Sequence, residues 1–115
     1  MADFVCGLDA AVAVVGGKWK PLILWALAEE PRRTGELRRE LPDVSEKMLT
    51  QHLRELERDG VVHREVHREV PPKVVYSLTP AGAALELALR PLGDWGDDNM
   101  EAISAARAPL RPAES

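Results

Sequence analysis

Apolar residues follow a helical period along most of this chain and change to a period of two in one internal stretch. Spacings of three and four residues recur in five segments, whereas apolar and polar residues alternate within residues 62–78. The alternating stretch, interrupted by two prolines, predicts two short antiparallel strands joined as a hairpin. The pattern therefore predicts a mainly α fold with a small β-hairpin, and it places helices at 9–15, 17–30, 34–41, 45–58 and 81–95.

Capping residues and prolines mark the ends of these predicted helices. Asp9, Thr34, Ser45 and Thr79 each precede or open an apolar periodic run, and these are residue types that favour the N-cap position. Pro91 falls inside the last predicted helix, where a missing N–H and a steric clash disfavour regular helix. We therefore expect Pro91 to kink or divide this helix.

The fourth predicted helix has two distinct faces. At 100° per residue, Leu49, Leu53 and Leu56 lie within about 60° of each other, which indicates a face buried in the core. The opposite face collects hydrogen-bond donors and positive charge, the side-chain types that contact base edges and phosphates. Its members are Lys47, Thr50, Gln51, Arg54 and Arg58.

The order of elements matches a winged helix-turn-helix, in which the second helix of the pair enters the major groove. In this interpretation the first turn of the fourth helix, from Ser45 to Lys47, directs free backbone N–H groups toward a phosphate. The hairpin is then the wing, and its tip offers Arg68 and Lys73 to the adjacent DNA backbone or minor groove. The alternative for any polar helix face is simple exposure to water.

Three long strings of the sequence resemble the HxlR family of transcriptional regulators, winged-helix relatives of the MarR group. They are CGLDAAVAVVGGKWKPLIL from Cys6, GELRRELPDVSEKMLTQHLRELERDGVVHREV from Gly35, and PPKVVYSLTPAG from Pro71. The resemblance implies a dimeric DNA-binding repressor or activator, with the first and last helices forming the dimer and the fourth helix and wing contacting double-stranded DNA. The chain departs from the family pattern around Pro91, which leaves the path of the last helix open.

The last predicted helix carries an apolar stripe that is large for a chain of this size. Its residues are Leu85, Leu89, Leu92 and Trp95. A stripe of this kind favours a homodimer, whose two recognition helices would lie one DNA turn, about 34 Å, apart on a palindromic operator. Packing of the stripe against the first helix of the same chain is the alternative.

Cys6 is the only cysteine in the sequence. An intrachain disulfide is therefore impossible, and the reducing cytoplasm is the expected location. The family resemblance implies that a cysteine at this position can sense thiol-reactive compounds or oxidants, and a nearby Lys18 or Lys20 could lower its pKa. The alternative is an inert small residue.

Charge and composition limit the function classes. The 115 residues carry a net charge of -4, but residues 18–73 hold 12 Lys or Arg against 11 Asp or Glu, so the acidity lies mainly in the flanks. We expect one domain over residues 1–107 with a flexible tail at 108–115, no membrane span, and no metal or cofactor. A nucleophile–base pair or phosphate-binding glycine loop is absent from the sequence, so an enzyme is not expected.

Two alternatives remain open from the sequence. A winged-helix module that binds a protein rather than DNA would also fit the overall acidity. In addition, a crevice lined by Trp19, Trp25 and Trp95 could hold a small apolar effector, although these aromatics are most simply core and interface residues.

Overall fold

The computed structural model describes residues 3–108, so most of the predicted tail at 108–115 lies outside the described residues. The five predicted helices and the hairpin are all present in the predicted order. They are α1 (Gly7–Val15), α2 (Trp19–Glu29), α3 (Thr34–Glu40), α4 (Glu46–Arg58), β1 (Val62–His67), β2 (Lys73–Leu78) and α5 (Pro80–Arg107).

Two predicted N-caps are wrong, by one residue in α3 and three in α1. Cys6 is extended and its carbonyl accepts the N–H of Ala10, so α1 begins at Gly7, and Asp9 instead accepts the N–H of Val5 from inside the first turn. In α3 the cap is Arg33, whose N–H donates to the carboxylate of Glu36 at 2.9 Å. In both cases a carboxylate inside the first turn accepts a backbone N–H from the segment that leads into the helix, Val5 for α1 and Arg33 for α3.

The core is formed where α2, α3, α4 and the base of the hairpin meet. The six largest fully buried side chains are all aliphatic. Close packing of such side chains is the main source of stability in a small domain. These six residues are Ile23, Leu24, Leu37, Leu49, Leu53 and Leu56.

The hairpin is antiparallel, with Val62 opposite Leu78 and His67 opposite Lys73. The backbone of Arg32, between α2 and α3, adds a bridge to Tyr76 on β2, with N–O distances of 2.9 and 2.8 Å. The side chain of Arg32 also lies within 3.3 Å of carboxylates on Glu29, Glu30 and Glu40. The root of the wing is therefore attached to the helical body.

Helix α5 begins as predicted, with the Thr79 hydroxyl accepting the N–H of Gly82 at 3.0 Å. The same hydroxyl donates to the carbonyl of Gly60 at 2.7 Å, which joins the start of α5 to the turn after α4. Of the two outcomes predicted for Pro91, division of the helix is wrong, since α5 runs unbroken through this residue. A proline removes one backbone N–H, so a helix can continue on either side of it. Within residues 3–108 no single helix is long and apolar enough to cross a membrane; α1 and α2 together reach that length, but they are bent by 82° at their junction.

Candidate nucleic-acid interface

The apolar side of helix α4 is buried completely in the core. Leu49, Leu53 and Leu56 have no exposed surface, which confirms the core face predicted from the sequence. The hydroxyl of Ser45 accepts the N–H of Met48 at 3.1 Å, so the predicted N-cap is also present. Both features fix the position of the polar side of α4.

The polar side of α4, which we call the reading face, has a shallow open depression between its side chains. Lys47, Gln51 and Arg54 are exposed and Thr50 is half-buried. Together with Glu46 they line a concavity of about 430 Å³. Their guanidinium, ammonium, amide and hydroxyl groups can donate to phosphate oxygens and to base edges.

Most cations predicted to contact DNA are free of ion pairs. Within residues 3–108, Lys47, Arg54, Arg68 and Lys73 make no salt bridge. Arg58 differs, since its guanidinium donates to the neighbouring Asp59 at 3.2 Å, a contact that raises the pKa of Arg58. The four free cations can therefore meet an external anion without first breaking an internal pair.

The wing places its two predicted cations at the tip of the hairpin. Arg68 is exposed in the connection between the strands, and Lys73 is half-buried at the first position of β2. Val70, in the same connection, is fully exposed. The tip thus has one cation on each side of an apolar turn, with exposed Glu69 next to Arg68.

A polar link beneath the reading face was not among the features predicted from the sequence. Glu55, one turn after Gln51, accepts from the Gln51 amide at 2.7 Å and from the Lys20 ammonium of α2 at 2.7 Å. These contacts, with Lys20 contributing most, lower the pKa of Glu55 to about 2. The spacing of four between Gln51 and Glu55 was a visible signal, whereas the partner on α2 had none.

Cys6 is exposed at the N-cap of α1. Lys20, considered from the sequence as a neighbour that could activate the thiol, is buried and bound to Glu55. Lys18 lies over the ring of Trp19, 4.8 Å from its centroid. Lys20 is therefore paired with the Glu55 carboxylate and not with the Cys6 thiol.

The predicted stripe on α5 is divided between two environments. Leu85 and Leu89 are partly buried against the chain's own core, whereas Leu92 and Trp95 are 63% and 58% exposed. Buried Glu86 on the same helix accepts from the guanidinium of Arg90 at 2.8 Å. The half of the stripe nearer the C-terminus thus has no cover within the described part of the chain.

A groove runs between α2 and α5 beside this uncovered half. Its volume is about 690 Å³ and its walls are mainly apolar, with charged groups from α5 at the edge. The apolar lining includes Leu22, Trp25, Leu89 and Leu92, and the charged groups include Arg90.

Comparison with known families decides the identity of this arrangement. The HxlR-like helix-turn-helix family model matches residues 14–104, which is most of the chain. The chain belongs to the HxlR-like helix-turn-helix family. The sequence-based assignment to this family is thereby confirmed.

Individual relatives of this HxlR-like protein agree with the family match. It is 45% identical over 105 residues to the uncharacterized HTH-type transcriptional regulator YdeP of Bacillus subtilis, an alignment covering 89% of this chain and 82% of YdeP. The reduced form of the redox regulator HypR has a TM-score of 0.82 at 41% identity, covering 87% of this chain and 99% of HypR. The oxidized form of HypR has a TM-score of 0.76 at 45% identity, covering 82% and 97%.

These findings confirm the predicted fold and the general function. The HxlR-like protein is a winged helix-turn-helix transcriptional regulator that binds DNA. Its relatives carry the names of regulators rather than of enzymes.

Proposed function

We propose that this HxlR-like protein is a homodimeric repressor that binds a palindromic operator through the reading face of α4 and the tip of the wing. The proposal depends mainly on the arrangement of α4, which buries all its leucines and places two cations that are unpaired within residues 3–108, Lys47 and Arg54, and the amide of Gln51 on the opposite side. Because these leucines pack in the core, the reading face has a fixed orientation in which it can enter the major groove. The wing cations lie on the same chain for contacts with the DNA backbone.

Exposed apolar surface on the outer helices supports the homodimer. Helix α1 has no fully buried residue; Val14 and Val15 are partly buried against the core, whereas Leu8 and Val12 are 74% and 55% exposed. On α5, Leu92, Trp95 and Met100 are at least 58% exposed. Apolar surfaces of this kind on a soluble protein are usually covered by a partner, and a symmetric second copy supplies one.

Selection from random duplex DNA at a fixed near-physiological salt concentration tests this proposal. We expect a palindrome with half-sites about one helical turn apart. Gln51→Ala and Arg54→Ala should each weaken specific binding by about 1 to 3 kcal/mol, whereas Lys73→Ala should weaken binding to all sequences alike. Enrichment of no sequence, with little salt dependence of DNA binding, would instead favour a protein-interaction module.

The dimer has its own test. Trp95→Ala should raise the dimer dissociation constant by roughly tenfold or more, since a central aromatic often dominates an interface. Analytical ultracentrifugation measures this change, and Val70→Ala, at an exposed apolar residue on the wing, is the matched control. A wild-type protein that sediments as a monomer at micromolar concentration would contradict the dimer.

We also infer that Cys6 makes DNA binding responsive to oxidation. Cys6 is exposed, and HypR, a solved structural relative, is described as a redox regulator in reduced and oxidized forms. With a single cysteine in each chain, diamide can join two Cys6 thiols only between subunits, forming one S–S bond while diamide takes up the two hydrogens. Cys6→Ser should keep DNA binding and lose the response to diamide; an unchanged response in this variant would exclude Cys6.

We also propose that the groove between α2 and α5 binds a small apolar effector. The groove between α2 and α5 has the volume and apolar lining common to small-molecule sites, and Trp25 supplies an aromatic wall. Quenching of Trp25 fluorescence in a Trp19→Phe, Trp95→Phe background, titrated with apolar aromatic compounds, would detect an occupant. The matched control retains Trp19 alone, as a Trp25→Phe, Trp95→Phe variant, and should show no quenching because Trp19 does not line the groove.

A further inference from the structure

Glu55 connects the reading face to the helical body through both of its carboxylate oxygens. Oε2 accepts from Nε2 of Gln51 at 2.7 Å, and Oε1 lies 2.7 Å from Nζ of Lys20. The Lys20 side chain is 8% exposed and that of Glu55 is 28% exposed, so the pair is largely shielded from water. An ion pair in this setting keeps its geometry better than one on an open surface.

This contact determines which way the amide of Gln51 faces. The pKa of Glu55 is lowered to about 2, chiefly by Lys20, so the carboxylate is ionised at neutral pH and can only accept hydrogen bonds. If the amide were flipped, Oε1 of Gln51 would lie against Oε2 of Glu55, and two acceptors repel. The chemistry of Glu55 therefore fixes Nε2 toward the carboxylate.

The fixed amide still has one hydrogen-bond donor and one acceptor available. Nε2 carries two hydrogens, of which Glu55 takes one, and Oε1 of Gln51 has no partner within residues 3–108. Gln51 is exposed and lines the concavity of the reading face beside Lys47 and Arg54. An amide that offers one N–H and one C=O side by side matches N7 and the N6 amino group of adenine in the major groove.

We propose that Glu55, anchored by Lys20, is a positioning residue that orients Gln51 to read an adenine in each half-site. This inference rests on the proposed function, since it requires α4 to enter the major groove. Glu55 itself touches no base in this scheme. It acts by removing the flipped orientation of the Gln51 amide, which would otherwise offer its donor and acceptor in the reverse order.

Selection from random duplex DNA with matched variants tests the inference. The wild-type protein should enrich an A·T pair at one position of each half-site, and Gln51→Ala should lose the preference at that position alone. Glu55→Gln keeps the shape of the side chain but can donate as well as accept, so both amide orientations become available. We expect it to reduce the adenine preference at that same position about tenfold, within the range that one bidentate contact supplies, and to leave the other positions unchanged.

Glu57→Gln is the matched control. Glu57 lies on the same helix, is exposed, and makes no ion pair within residues 3–108, so its change removes the same charge without touching Gln51. The readout is the ratio of affinities for two bases measured on one protein sample. A merely structural role of Glu55 would lower the folded fraction and leave this ratio unchanged.

The possible outcomes separate this inference from the proposed function. If the wild-type protein enriches no sequence, the proposed function fails and the inference fails with it. If a palindrome is enriched but Gln51→Ala affects no position, or affects one that is not A·T, the assignment of adenine is wrong. If Gln51→Ala removes an adenine preference that Glu55→Gln leaves intact, the positioning role of Glu55 is overturned.

Discussion

Helices α4 and α5 use their apolar residues in opposite ways. Helix α4 has 13 residues and buries three leucines completely within its own chain. Helix α5 has 28 residues, yet the residues it buries are Gly82 and Glu86, and Leu92 and Trp95 stay exposed. The folded chain thus packs the apolar side of α4 by itself and leaves part of the apolar surface of α5 exposed. Under the proposed function, DNA contacts by α4 would depend on intrachain packing, whereas the use of two half-sites would depend on association of two chains.

The largest expected effect tests how much the burial of α4 within its own chain contributes to stability. Leu53→Ala should lower the free energy of unfolding by about 2 to 5 kcal/mol, because it removes a fully buried side chain and leaves a cavity. Met48→Ala on the same helix is the control, and its effect should be much smaller because Met48 is 45% exposed. Urea denaturation measures both, and equal losses would show that the burial of α4 does not limit stability.

A smaller effect distinguishes two glycine positions on α5. A Cβ at Gly82 would collide with the carbonyl oxygen of Val61, a backbone atom that cannot move easily. Gly82→Ala should therefore destabilise the protein by about 1 to 3 kcal/mol.

Gly93, farther along the same helix, is the matched control with the opposite sign. No atom lies within 4 Å of a Cβ built there, and Gly93→Ala should stabilise the helix by about 0.5 to 1 kcal/mol. Thermal unfolding at one protein concentration compares the two variants. A loss at Gly93 comparable to that at Gly82 would show that a surface outside this chain, such as a second copy, packs against α5 at Gly93.

Local rules explain which parts of this structure could be predicted from the sequence. The cap at Ser45 and the leucine face of α4 depend on residues within a few turns of each other, and both predictions are confirmed. The caps at Asp9 and Thr34 were wrong because both helices begin earlier, and the carboxylates of Asp9 and Glu36 accept the N–H groups of Val5 and Arg33 instead. A capping propensity cannot show which of several acceptors the backbone uses.

Contacts between distant segments could not be predicted in this way. The ion pair between Lys20 and Glu55 joins two helices, and the bridge between Arg32 and Tyr76 joins a loop to the wing. Neither has a periodicity or a motif, since both depend on how the helices pack. The candidate site thus had predictable members, such as Gln51, and an unpredictable support.

The smallest expected effect concerns that support and depends on pH. The pKa of Glu55 is lowered from 4.5 to about 2 in the folded protein, chiefly by the hydrogen bond from Lys20. A lowered folded-state pKa stabilises the protein fully above the unfolded value, and this stabilisation is lost as the pH falls from about 5 toward 2. The difference in unfolding free energy between wild type and Glu55→Gln should therefore be constant near neutral pH and shrink across this acidic range. Urea denaturation at successive pH values measures this difference, with Glu57→Gln as the control. A difference that does not change between pH 5 and pH 2 would mean that Lys20 does not bind the Glu55 carboxylate in solution. Glu55 would then have no anchor on α2 from which to orient the Gln51 amide.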